Sequence, residues 1–127
     1  MNSNRDDSPS QAEPSATEID TAIVVFVTAS SREEAERIAR ALVDAGLAAC
    51  ATILPPVTSI YMWKQKMTEE EETMMICKSR RHVFGALVDA VKRLHSYEVP
   101  EIIALPIMTG SKDYLEWLTV NTRKSSI

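Results

Sequence analysis

The chain reads as an α+β fold of the ferredoxin-like type, a βαββαβ sandwich with a long β2-β3 hairpin and an extra C-terminal helix. Three observations predict it. The stretch Cys50 to Arg81 reads as one long hairpin: Ala51 to Trp63 is rich in β-branched and aromatic residues, and Met67 to Cys77 resumes that pattern after the polar turn Lys64-Gln65-Lys66. Helix-spaced apolar residues recur on both sides of it, and a short β-rich run lies near each end of the domain.

In chain order, Met1 to Glu18 is nearly all polar or small and holds two prolines, so residues 1–18 are expected to be a disordered tail. Residues 19–127 are expected to form a single domain. Ile23 to Val27 has the look of a central strand covered on both faces. Ser31 with Glu34 makes a capping box; Ala35, Ile38, Ala39 and Leu42 follow at helical spacing, and Gly46 supplies the stop. Leu47 to Leu54 leads into the hairpin. Each arm reaches roughly a dozen residues, on the order of 40 Å at about 3.3 Å per residue. A body of about 100 residues has a radius of gyration near 13 Å, so the tip overhangs its own core. An overhanging ribbon is marginal in water and its exposed edges invite pairing, which predicts a homo-oligomer.

Val83, Phe84, Leu87, Val88, Val91 and Leu94 predict a second amphipathic helix in which Gly85 marks close packing. Ser96 to Pro100 is a loop. Ile102 to Met108 is a final strand, with Pro106 at an edge or bulge. Gly110-Ser111 opens a third helix in which Tyr114, Trp117 and Leu118 share a face.

Composition narrows the function. The chain has 127 residues, 45% of them hydrophobic, and a net charge of −4, which argues against a general nucleic-acid binder. No apolar run approaches a membrane span and no signal peptide is evident, so no membrane partner and a cytoplasmic location are expected. Cys50 and Cys77 both fall in predicted strands and read as buried free thiols. A two-residue turn at Lys64-Gln65 places them diagonally on one face, in a register that holds only near the tip because Pro55-Pro56 interrupts the first arm.

Four residue groups carry candidate chemistry. Tyr61 and Trp63 share a strand face with Lys66 and Thr68 opposite them, which suits either a small ligand or a subunit interface. Glu69 to Glu72 reads as a solvated edge that blocks unwanted pairing; the rival reading is part of a hard-cation cage. The loop His95 to Glu101 gathers an imidazole, a phenol and two carboxylates, able to bind a metal, move a proton or serve as structural hydrogen bonding. Met62, Met67, Met74, Met75 and Met108 include soft Cu(I) donors, yet adjacent Met74 and Met75 point to opposite faces, which favours core filling. No phosphate-cradling glycine loop, CxxC pair or nucleophile elbow is present, so no enzyme is expected.

Tyr61-x-Trp63 with Lys66, the acidic stretch into Lys78, His95-x-Tyr97-Glu98-Val99-Pro100-Glu101 and Tyr114-Leu115-x-Trp117 together resemble the CutA divalent-cation-tolerance family. Ala48-Ala49-Cys50-Ala51 fits it too. The resemblance runs from about Ile23 to the third helix. It implies a homotrimer of ferredoxin-like subunits whose hairpins pair around a three-fold axis, soluble and cytoplasmic in bacteria, associated with tolerance of copper and other divalent cations. Animal relatives are linked to acetylcholinesterase localisation, and the trimer also resembles the PII signalling proteins. The family's characteristic positions correspond to Tyr61, Trp63, Lys78, Tyr97 and Glu101, expected to bind ligand, and to His95, expected to bind metal. A copper site proposed for some bacterial members uses a first-strand cysteine and two consecutive histidines. Here those positions are Val27 and Leu94-His95, leaving only His95. Ser96 replaces the usual proline, and Gln65 the usual glycine of the hairpin turn.

The resulting expectation is a non-enzymatic trimer that binds copper, another divalent cation or a small ligand in clefts between subunits and requires no cofactor. The alternative is a PII-like module sensing an anionic metabolite.

Overall fold

The computed structural model describes residues 20–124, so the tail expected over 1–18 lies outside the described residues. Its elements are β1 (Ala22–Ala29), α1 (Arg32–Asp44), β2 (Cys50–Ile53), β3 (Val57–Trp63), β4 (Lys66–Arg80), a 3-10 turn (Arg81–Val83), α2 (Phe84–Leu94), β5 (Ile102–Pro106) and α3 (Lys112–Val120). The strands form an antiparallel sheet of order β2-β4-β1-β5, with β3 continuing alongside β4.

Helix α1 begins where the Glu34 N–H donates to the Ser31 hydroxyl at 3.1 Å. The Glu34 carboxylate reaches back to the N–H of Ser30, one residue short of the expected box, at 2.9 Å. At the other end Leu47 N–H donates to Leu42 O (2.9 Å) and Gly46 N–H to Val43 O (3.1 Å), with Gly46 at φ 71. A side chain there would also crowd Arg123, whose Cβ lies 3.0 Å from the position of an added Cβ.

Alternation along β1 sends Ile23, Val25, Val27 and Ala29 to the helix side, where they meet Met75, Cys77, Ile38, Leu42, Leu87 and Val91 in one buried core. The opposite face carries Val24, Phe26, Ile76, Ile103 and Leu105. Phe26 pairs with both Ile76 and Ile103, and Val24 with Leu105, so these side chains form a continuous apolar patch. Ile103 and Leu105 are each 53% exposed. Helix α3 meets that face at one corner, where Cys50 Sγ lies 3.7 Å from the Tyr114 hydroxyl. Only Leu118 of α3 is buried; Tyr114 and Trp117 pair with each other, ring centroids 5.6 Å apart, and stay partly exposed. The two ends of the described chain meet at His82, which pairs with Asp20 through Nδ1 and lies 2.7 Å from the Arg123 carbonyl through Nε2.

Several sequence expectations need correcting. The final strand stops at Pro106 rather than Met108; Pro106 does lie on an edge strand, where its missing N–H costs no ladder bond. Gly85 faces open space rather than a close neighbour, with nothing within 4 Å of an added Cβ. Of the methionines, Met75 fills the core, whereas Met62, Met67 and Met108 are exposed.

The hairpin is longer on one side than expected. Strand β4 runs unbroken for 15 residues, while its partner is split into β2 and β3 by Leu54-Pro55-Pro56. Its turn has two central residues, Lys64 (φ 50) and Gln65 (φ 66), both left-handed as a type I′ turn requires. Register then decides which side chains meet. Near the tip Trp63 faces Lys66 and Tyr61 faces Thr68, as expected, down to Val57 facing Glu72. Across the break Ile53 faces Met75, so 54–56 oppose only 73–74 and one residue bulges. The bulge separates the two cysteines: Cys50 faces Lys78 and Cys77 faces Ala51, on opposite faces of the sheet instead of diagonal on one. Cys77 is buried, and burial pushes its thiol up to about 12; Cys50 is half-buried.

Candidate functional site

The two-residue turn at Lys64-Gln65 pairs the odd-numbered positions of β3 with the even-numbered positions of β4, so Ser59, Tyr61 and Trp63 stand beside Glu70 and Glu72. The loop 95–101 crosses the same face and closes a cleft of about 730 Å³. Tyr61, Trp63, Glu70 and Glu72 line its hairpin side; Tyr97, Glu98 and Glu101 line its loop side.

The loop is held from below by Glu34. This residue is 4% exposed, and its carboxylate accepts from Ser30 N–H (2.9 Å), the Ser30 hydroxyl (2.9 Å) and Ser96 N–H (2.8 Å). Burial alone would raise its pKa; the donors from Ser30 and Ser96 outweigh that and hold it at about 2. His95 sits beside this anchor with its side chain wholly buried, Nδ1 3.9 Å from Glu34 Oε1. Tyr97 N–H donates to His95 Nδ1 at 3.0 Å, so Nδ1 is the acceptor nitrogen. Nε2 therefore carries the proton and donates to the Thr28 carbonyl at 2.6 Å. Neither nitrogen offers a free lone pair.

Two phenol–carboxylate pairs form the polar wall. The Tyr97 hydroxyl donates to Glu72 Oε2 at 2.7 Å, and the Tyr61 hydroxyl donates to Glu70. Burial, the Glu72 hydrogen bond and the charges of Glu72 and Glu70 push the Tyr97 phenol well above its usual range. The hydrogen bond to Glu70, then burial and the two carboxylate charges, push Tyr61 up to about 12. The neighbouring carboxylate charges contribute to both shifts. No lysine or arginine is among the residues lining the cleft.

Of the six residues singled out from sequence, the cleft gathers Tyr61, Trp63, Tyr97 and Glu101. His95 lies behind the loop as a support. Lys78 is on the same sheet face as Glu72 but six residues further along β4, roughly 20 Å at about 3.3 Å per residue. Its Nζ lies 3.5 Å from Thr52 Oγ1. Glu70 and Glu72 were hidden in the run read as a solvated edge, and that reading needs correcting at Glu72, which is only 6% exposed. Strand alternation announced that half the run would share a face with Tyr61; the loop that buries it was not legible locally.

Among the described residues, the positions that the resemblance suggests for copper do not form a donor set within one subunit. Val27 is fully buried in the apolar core, Leu94 packs against that core, and both His95 nitrogens are engaged. Among the described residues no three His, Cys, Asp or Glu side chains converge closely enough to hold a metal ion.

Comparison with known proteins supplies the lineage. The family profile described as CutA1 divalent ion tolerance protein matches residues 23–121. The divalent-cation tolerance protein CutA of Thermus thermophilus is 48% identical over 99 residues, covering 78% of this chain and 96% of that protein. The chloroplastic CutA 1 protein of Oryza sativa is 44% identical over 103 residues, which span 81% of this chain but 58% of that longer relative. The crystal structure of CutA1 from Oryza sativa superposes with a TM-score of 0.80 at 43% identity, covering 83% of this chain and 96% of that one. By the span of that profile and the identity to these relatives, the chain belongs to the CutA1 divalent ion tolerance family.

Proposed function

We propose that this protein works as a non-enzymatic homotrimer that binds a small cation in clefts completed between subunits. The single observation that carries the binding half is the charge of the cleft: Glu70, Glu72, Glu98 and Glu101 line it and no basic residue does. A cation is stabilised there by Coulomb attraction in partly desolvated surroundings, whereas an anionic metabolite meets four like charges. The PII-like alternative is the less favoured reading for that reason.

The assembly half rests on surface that one subunit leaves bare. Phe26, Ile76, Ile103 and Leu105 cover a sheet face that no helix of the subunit spans, and Ile60, Met62 and Met67 stand exposed at the hairpin tip. Burying apolar area of this kind is worth about 25 cal/mol per Å². Sister copies are the natural cover, and they bring the tip of one hairpin against the body of the next. Soluble operation fits as well: no helix among the described residues is long and apolar enough to cross a membrane. A cytoplasmic setting is part of the proposal.

Sedimentation of the purified chain together with cation titration tests the reading. The expected result is a trimer that binds cations saturably, with affinity falling as salt rises. A trimer that binds anions in preference to cations would overturn the binding half.

A further inference from the structure

Resting on the cation reading of the cleft, we propose that its ligand is a protonated aliphatic amine, of the short diamine class, rather than a bare metal ion. Four features of the cleft select between these. Its walls are aromatic as well as acidic, with Tyr61, Trp63 and Tyr97 among the residues that line it. Ring faces stabilise an ammonium through the π quadrupole but donate no oxygen to a hard divalent ion, which needs six or so ligands. Trp63 already receives such a group, because Lys64 Nζ of its own turn sits 5.7 Å from the ring centroid.

The carboxylates supply the second feature. Glu72 is 6% exposed, yet of its two oxygens only Oε2 receives a hydrogen bond from the described residues, from Tyr97. A buried carboxylate with an unfilled oxygen calls for an N–H donor. An ammonium brings three; a quaternary amine brings none, and that selects primary amines. Third, Glu70 repeats the arrangement with Tyr61 two positions along the same strand. That is about 6.6 Å at 3.3 Å per residue, a spacing matched to two ammonium groups on one short aliphatic chain. Fourth, no three ligating groups among the described residues converge on one point, so the negative charge is spread as an extended dication would need it. The cleft volume of about 730 Å³ falls within the range of small-molecule pockets.

The test is calorimetric titration of the full chain with putrescine, tetramethylammonium and Cu(II), with assembly mass followed throughout. Putrescine is expected to bind saturably, with its affinity falling by about tenfold or more in Glu72→Gln and in Trp63→Ala at unchanged assembly mass. Tetramethylammonium is expected to bind more weakly than putrescine. Cu(II) binding that Glu72→Gln abolishes, without any putrescine binding, overturns the amine and leaves the cation cleft standing. Binding of none of the three overturns both. Loss of assembly in Glu72→Gln would make the cleft a subunit contact and overturn the amine as well.

Discussion

Gln65 occupies a left-handed position, φ 66, that a type I′ turn normally gives to glycine. An L-residue there costs roughly 1–2 kcal/mol, partly offset by the entropy glycine would lose on folding. Gln65→Gly is therefore expected to stabilise the chain by about 0.5–1 kcal/mol, read as a higher denaturation midpoint with unchanged slope. Glu34 works in the opposite direction. In Glu34→Gln an amide must face donors that the carboxylate accepts from, at Ser30 and Ser96, and a loss of about 1–3 kcal/mol is expected. The linkage to pH follows from the direction of its shift. The folded-state pKa of about 2 lies below the ordinary 4.5, so the contribution is fully present above 4.5 and is lost as pH falls from there towards 2. Equilibrium unfolding of both proteins across that window should show their stability difference shrinking as acid is added. Of these two residues, the turn was readable from sequence as a polar break, whereas Glu34 was legible only as a helix cap. Its second task, holding Ser96 from 62 positions away, is tertiary and leaves no local pattern.

At the scale of elements, the turn at Lys64-Gln65 sets the pairing of β3 with β4 and so the face on which Tyr61 and Trp63 emerge beside Glu70 and Glu72. Pro55-Pro56 announced an interruption, but the sequence does not say whether it adds a residue, and that single residue sets the face on which Cys50 emerges. The misplacement of Cys50 relative to Cys77 has this origin. Deleting Pro56 should remove the bulge and join β2 to β3 while Tyr61 stays opposite Thr68. The expected outcome is a folded chain that still binds cations, checked by titration beside a circular dichroism spectrum of unchanged shape. Element existence was otherwise well marked: the capping serines, the Gly46 stop and the helical periodicities all name their own helices, because each is a short-range signal.

For the whole molecule, the central matter is a sheet with one face left open. Strand alternation makes Phe26 and Ile76 partners in a patch that the subunit's two large helices, both on the other side, never reach. Composition and hairpin length foretold an excess of extended chain; which face stays bare depends on where the helices land. Replacing Leu105 by Glu puts a charge on the β5 side of that patch, and the expected effect is dissociation with the subunit fold retained. The most direct measurement is the native mass of the unmodified chain by sedimentation equilibrium at micromolar concentration. Three chain masses is the result predicted here, and a folded particle of a single chain mass would contradict the account.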